Sequence, residues 1–337
     1  MRPSAEQLLA SARVVSLPLT TRFRGVDARE AVLFEGPEGW SEFSPFTEYP
    51  DDEAVAWLAA AIDFGWAPLP ALVRDTILVN ATLPAVAADR VASVLDRFSG
   101  CRTVKVKVAE PSQTLPEDVA RVRAARNYLG PDGRLRVDAN GGWTMDEAER
   151  AVHAFAEFDL EYVEQPCATV EELVELRRRI RYLDIPIAAD ESVRKAADPL
   201  AVARAGAADL LVVKAQPLGG IATALRLVAD AGLPAVVSSA LETSVGISMG
   251  AHLAAALPSL GFDCGLGTAA LLAADVTDAP LLPVGGSIPV RRVDVSESLL
   301  QHHAAAPDRT AWWLERIRRT HALLNQRAST SPTRENE

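Results

Sequence analysis

Five charged residues recur through the middle of the sequence at nearly constant spacing: Lys107, Asp138, Glu164, Asp190 and Lys214, separated by 31, 26, 26 and 24 residues. A sixth, Lys105, precedes the first by two and alternates with Val104, Val106 and Val108 in "TVKVKV". Each of the five sits at or near the end of a short apolar run. A strand turns alternate side chains to opposite faces, so Lys105 and Lys107 point the same way. Three carboxylates brought to one place raise one another's pKa. A hard divalent cation removes that penalty. An all-oxygen donor set from Asp138, Glu164 and Asp190, completed by water, suits Mg2+ (or Mn2+) rather than Zn2+. The competing reading is that each acid simply caps a helix after a strand; three at matched spacing favour the metal.

The lysines flank the carboxylates from both sides. A free lysine titrates near about 10.4 and is a poor base at neutral pH. A second ammonium two residues away, together with a cation, lowers that value. Lys105 therefore reads as tuning Lys107 as a base, with Lys214 facing it. The alternative is a solvent-facing strand edge with snorkelling lysines; the central position of the strand stands against it. A metal held by three carboxylates between lysines suits removal of a proton next to a substrate carboxylate. The cation stabilises the enediolate that forms and a positioned lysine takes the proton.

Such convergence needs elements that deliver strand ends to one place. Strand-like runs occur at 76–82, 103–109, 134–140, 160–166, 185–191, 208–214, 234–240 and 261–267. Helical patterns lie between them, at 145–158, 169–183 and 220–232. Strands alternating with single helices imply parallel strands and right-handed crossovers. The expected fold is α/β, a (β/α)8-type barrel, whose active sites form at the C-terminal ends of the strands. A doubly wound open sheet is the structural competitor. The first part differs: "REAVLFEGPEGWSEFS" reads as a hairpin across residues 36–39, and 51–66 as a helix with an acidic start. The expected domains are an α+β capping domain over 1–75, the barrel over 76–280 and a return segment to the cap over 281–300. A C-terminal helix and tail follow over 301–337, with "RASTSPTRENE" read as disordered.

Composition excludes other classes. With 337 residues and about half of them apolar, the chain can bury a large core, and its formal charge of −11 offers no basic stripe for nucleic acid. Cys101, Cys167 and Cys264 are too scattered for a disulfide framework or a zinc knuckle. No signal-peptide pattern and no apolar run long enough to span a bilayer is found, so a cytoplasmic protein without a membrane partner is expected. The five histidines lack zinc spacing, and no full dinucleotide fingerprint or P-loop is present. Oligomeric state is not legible.

At this point a resemblance becomes specific. "KVKV", "VDAN", "VEQP", "AADES" and "VVK" resemble, in order, the motif series of the muconate-lactonising subgroup of the enolase superfamily, where a lysine base works beside divalent metal on an ene-diolate. "EYVEQPC", "VVKAQPLGG" and "VSSALETSVG" are similar to the o-succinylbenzoate synthases of actinobacteria. The resemblance spans about residues 13–300. It implies Mg2+ on Asp138, Glu164 and Asp190, Lys107 as general base with Lys105 beside it, and Lys214 stabilising the enediolate by its charge. The implied reaction is syn dehydration of 2-succinyl-6-hydroxy-2,4-cyclohexadiene-1-carboxylate in menaquinone synthesis. N-succinylamino-acid racemisation or dipeptide epimerisation on the same scaffold is the alternative.

Other residues fit such a pocket with an alternative beside each. Ser238 and Ser239 end the seventh run and could bond the succinyl carboxylate, or simply end a strand. Gly219 and Gly220 precede a helix whose amides could bind an anion; a tight turn explains them equally. Arg136 shares the strand face of Asp138 and either supports the metal ligands or forms a buried salt bridge. Glu191 is expected to point away from the barrel interior. Residues 20–30 resemble a loop covering the pocket, with Arg22 read as a surface charge.

Overall fold

The computed structural model describes residues 2–23, 25–195 and 198–330. The chain opens with a short helix, α1 (Ala5–Ser11), and an antiparallel sheet of β1 (Arg13–Phe23), β2 (Val26–Gly36) and β3 (Gly39–Phe43), order β1-β2-β3. Gly36 faces Gly39 across the expected hairpin, and Gly39 takes a φ of 116° that only glycine adopts readily. Within the segment 20–30, residues 20–23 and 26–30 belong to β1 and β2, which pair at Phe23 and Val26 after an irregularity beyond Pro18. Helix α2 (Asp51–Trp66) follows, with Asp51, Asp52 and Glu53 in its first turn, where the helix dipole favours negative charge.

Two short strands then part company. β4 (Thr76–Leu78) pairs antiparallel with a strand far ahead in sequence, at 287–289, whereas β5 (Ala81–Leu83) is the first barrel stave. The single run read at 76–82 thus breaks at Val79 and Asn80. From β5 the chain alternates: α3 (Val91–Leu95), β6 (Thr103–Lys107), α4 (Leu115–Leu129), β7 (Arg134–Asp138), α5 (Met145–Phe155), β8 (Leu160–Glu164), α6 (Val170–Ile180), β9 (Ile187–Ala189). The short helices α7 (Glu191–Arg194) and α8 (Ala201–Arg204) lead to β10 (Leu210–Val213), α9 (Ile221–Ala231), β11 (Ala235–Val237) and α10 (Ser244–Ala256).

The seven strands β5–β11 form one parallel sheet in sequence order. The eighth run closes it. Gly265 bridges Ser238 after β11, and Cys264 bridges Val79 before β5; the Gly265 N–H donates to Val237 O at 2.8 Å and the Asn80 N–H to Cys264 O at 2.9 Å. The sheet is therefore a closed eight-stave barrel, and the open-sheet alternative is overturned. A separate apolar plug of Tyr162, Ala188, Leu210, Val212 and Val236 belongs to the interior of one side. Three crossover helices start with the same device: Glu117, Glu147 and Glu172 reach back to the backbone N–H of Thr114, Thr144 and Thr169 at 2.7, 2.9 and 3.0 Å. Helix starts are thus served by other acids, and Asp138, Glu164 and Asp190 lie at strand ends.

The return segment carries β12 (Ser287–Pro289), paired with β4, and Arg292, which donates to Phe64 O at 2.8 Å in α2. Helices α11 (Glu297–His302) and α12 (Pro307–Thr330) end the described chain. α12 belongs to the cap: Trp313 is buried edge-on to Phe43, and Arg316 donates to Phe46 O at 3.2 Å. Residues 327–330, read as the start of a disordered tail, are the last turn of α12; the remainder of that reading lies outside the described residues. No helix among the described residues is long and apolar enough to cross a membrane.

Candidate active site

The parallel register delivers charged residues to one rim. Lys107, Asp138 and Glu164 are the last residues of β6, β7 and β8 and stand side by side as cross-strand partners. Asp190 and Lys214 each follow the last residue of their strands, β9 and β10. β6 and β10 are four staves apart in the sheet order, half-way round an eight-stave barrel, so Lys107 and Lys214 face each other across it. All three carboxylates are fully buried.

The polar contacts interlock. Lys107 Nζ donates to Asp138 Oδ2 at 2.5 Å and to Asn140 Oδ1 at 2.7 Å. Lys105 Nζ reaches both Glu164 oxygens, at 3.0 and 2.9 Å, and lies 3.2 Å from Asp138 Oδ2. Lys214 Nζ donates to Asp190 Oδ2 at 2.5 Å, and Arg194 Nε to Asp190 Oδ1 at 3.1 Å. Glu191 does not turn away as expected: its Oε1 accepts from Asn140 Nδ2 at 3.2 Å and from Arg194 Nη2 at 2.6 Å, while Oε2 is buried without a partner. Asn140 joins the two halves, a role its left-handed φ of 47° permits more readily in asparagine than in most residues.

Burial pushes every buried acid up, and the neighbouring charges decide the outcome. Asp138 is nevertheless held well below the usual carboxylate range by Lys107 and Lys105, and Asp190 by Lys214 and Arg194. Glu164 goes the other way, to about 7, because burial and the Asp138 charge outweigh Lys105. Burial alone would lower the Lys105 ammonium, but Glu164 and Asp138 more than offset it and hold it above the ordinary lysine range. Lys105 is thus a counter-ion to two carboxylates. Among the described residues no ready-made cage of three acid, histidine or cysteine side chains is assembled; the ammonium groups lie between the carboxylates. The donor set still fits a hard cation. It consists only of buried carboxylate oxygens, brought together by three adjacent staves, β7, β8 and β9.

Lys105, Lys107 and Lys214 line one small cavity together with Ser238 and Ser239. Ser239 Oγ lies 2.7 Å from Thr268 Oγ1. Phe23 lines it too, from the 20–30 segment expected over the pocket, and the remaining walls, Thr82, Thr268, Ala240 and Leu241, were not singled out from the sequence. The Phe23 ring centroid is 5.6 Å from Lys107 Nζ. Strand alternation could have found Thr82, which pairs with Lys105. Arg22, next to it, is exposed and donates to Gly25 O at 3.0 Å.

Gly219 and Gly220 do not join this group. Gly219 lines a different cavity with Asp63, Trp66, Thr223 and Arg226, and the anion at the start of α9 is the Asp63 carboxylate, bonded to the Ile221 backbone. A Cβ on Gly220 would stand 2.7 Å from Asp63 Oδ2, which explains the glycine. Arg136 does not touch the metal-type carboxylates. It is fully buried, donates to Glu161 Oε2 at 2.5 Å, Asp263 O at 2.7 Å and Asn80 Oδ1 at 3.1 Å, and stacks over Tyr162. This is the buried salt bridge of its two alternatives.

Comparison with known proteins agrees with this geometry. Residues 87–293 match the enolase C-terminal domain-like family and residues 14–65 the enolase N-terminal domain-like family. The chain is 54% identical over 317 residues to the o-succinylbenzoate synthase of Thermobifida fusca, covering 93% of this chain and 97% of that one. It is 51% identical over 323 residues to the o-succinylbenzoate synthase of Mycolicibacterium smegmatis, covering 96% and 98%. Among solved structures, muconate lactonizing enzyme from Pseudomonas fluorescens superposes with a TM-score of 0.76 at 21% identity, over 88% of this chain and 98% of that one. N-succinyl Arg/Lys racemase from Bacillus cereus does so with 0.73 at 20% identity, over 88% and 97%. These two establish the fold alone. The family matches and the near-full-length relatives together establish that the chain belongs to the enolase superfamily, in its o-succinylbenzoate synthase family.

Proposed function

We propose that this chain is a carbon–oxygen lyase that converts 2-succinyl-6-hydroxy-2,4-cyclohexadiene-1-carboxylate to o-succinylbenzoate, a step of menaquinone synthesis. The observation that carries the reading is the pair Lys107 and Lys214, facing each other across one cavity beside three buried carboxylates. Asp138, Glu164 and Asp190 would hold Mg2+, which when bound supplies positive charge beside the substrate carboxylate. Lys107, as the free amine, takes the proton from the ring carbon bearing that carboxylate. The Lys214 ammonium stabilises the negative charge that develops, from the opposite face. The Lys107 ammonium then returns its proton to the departing hydroxyl on the same face. One C–H and one C–O bond break, the ring becomes aromatic, and water leaves. Asn140 and Asp138 hold the Lys107 amine in place, and Ser238 and Ser239 bond the succinyl carboxylate.

The same opposed lysines suit a second reading, racemisation of N-succinylamino acids, in which one lysine removes a proton and the other returns it to the opposite face. The three cysteines, none disulfide-bonded, agree with a reducing cytoplasm; we assign no nucleic-acid or membrane partner. The deciding experiment measures o-succinylbenzoate formation by purified protein with Mg2+, with and without chelator. Metal-dependent product formation supports the reading. Deuterium exchange into both enantiomers of an N-succinylamino acid with no dehydration would replace it by the second.

A further inference from the structure

The wall of the cavity that follows β11 is anchored from the cap domain. Leu241 takes a left-handed φ of 64°, costly for a side chain of its size, and such a conformation persists only where its surroundings fix it. What fixes it comes from β2. Arg29, although charged, is 3% exposed. Its Nε donates to Leu241 O at 3.1 Å and its Nη2 to Ala240 O at 3.4 Å; Nη2 also donates to Ser44 O. The guanidinium lies 4.3 Å over the Phe46 ring. A planar fork of donors suits this convergence of three carbonyls, and an ammonium does not.

The other end of the same turn is anchored by β3. Glu42 Oε2 accepts from Thr243 Oγ1 at 2.6 Å, Thr243 N at 3.2 Å and Gly246 N at 3.0 Å, and so caps the start of α10 from another domain. Arg29 and Glu42 thus bracket residues 240–246. Ala240 and Leu241 line the cavity with Lys107 and Lys214, whereas Arg29 itself lies outside the lining.

The geometry points to Arg29 as a positioning residue for the substrate: by holding the Ala240 and Leu241 carbonyls it sets the wall against which the substrate ring and succinyl arm are seated. This rests on the proposed dehydration. The wall bears on the body of the substrate, and the guanidinium is bonded to backbone carbonyls, those of Leu241, Ala240, Ser44 and Glu30. Loss of Arg29 therefore acts on substrate binding more than on proton removal.

The test compares Arg29→Lys and Arg29→Met with wild type by steady-state kinetics of o-succinylbenzoate formation, thermal melting and Mg2+ titration. Arg22→Met, on the same hairpin and exposed, serves as control. The expected result is a KM raised about fivefold or more in R29K and further in R29M, with kcat within about threefold and half-saturation by Mg2+ unchanged. R22M matches wild type. If R29M does not fold, R29K decides alone. Wild-type KM in R29K, or a loss of kcat larger than the rise in KM, overturns the inference, as does a fall in melting temperature with kinetics unmoved. An inactive wild-type enzyme strikes the functional reading; an active one with insensitive Arg29 variants strikes this inference alone.

Discussion

Lys105 joins β6 to β8 across the intervening β7, its ammonium 3.0 and 2.9 Å from the two oxygens of Glu164. Both groups are buried. Removing one partner of such a pair leaves an uncompensated charge. Lys105→Met is expected to destabilise the metal-free protein by about 3 kcal/mol in denaturant unfolding. Saturating Mg2+ recovers much of that loss, because a cation on Glu164 replaces the missing ammonium. Equal losses with and without Mg2+ would separate Glu164 from the metal site.

Lys107→Ala removes the proposed base and is expected to lower dehydration about 1,000-fold or more. Calorimetric Mg2+ affinity stays within a few-fold of wild type, since Asp138, Glu164 and Asp190 remain. Substantial residual turnover would point to another base.

Asp190→Asn tests the ligand set. Half-saturation by Mg2+ is expected to rise at least about tenfold, because the amide gives up a charge that Lys214 and Arg194 now balance. An unchanged requirement takes Asp190 out of the set.

Glu42 makes stability depend on pH. Burial, then the like charge of Glu242, push its carboxyl from an ordinary 4.5 up to about 7, against hydrogen bonds from Ser44 and Thr243. Between these values the folded protein keeps a proton that the unfolded chain has released. Stability from this group therefore falls as pH rises from about 4.5 to about 7 and is flat above, a change on the order of 3 kcal/mol. Glu42→Gln is expected to flatten that part of the melting profile; an identical slope in the variant would dismiss Glu42 as its source.

Trp313→Ala tests the union of α12 with the cap. The indole is fully buried, edge-on to Phe43, and its Nε1 donates to Glu30 Oε2 at 2.7 Å. A loss of about 3–5 kcal/mol is expected in urea unfolding; a loss below about 1 kcal/mol would mean that α12 packs only weakly.

What could be read in the sequence was what repeats along it. The rim residues announce themselves because each stave ends at a fixed point and the next follows one crossover later, so Lys107, Asp138, Glu164, Asp190 and Lys214 were legible as a series. Contacts between distant segments were not. The 20–30 segment was expected over the pocket but Phe23 was not named in it, Asp63 occupies the helix start that Gly220 had seemed to offer an anion, and Arg136 bonds Glu161 on the neighbouring stave. Alternation fixed the face of Lys105 but could not say that Glu164 and Asp138 would claim its charge. The split of 76–82 depended on β12, some two hundred residues later.

The seating of Trp313 against Phe43 has a consequence for how the molecule is made. Synthesis runs from the N-terminus, so β1–β3 and α2 leave the ribosome long before α12, whose Trp313 and Ile317 complete the apolar cluster between them. The staves between them can assemble while that cluster is still incomplete. A nascent chain arrested just before residue 307 would carry a finished ring of strands and a cap whose apolar cluster, though roofed by α2, still lacks Trp313 and Ile317.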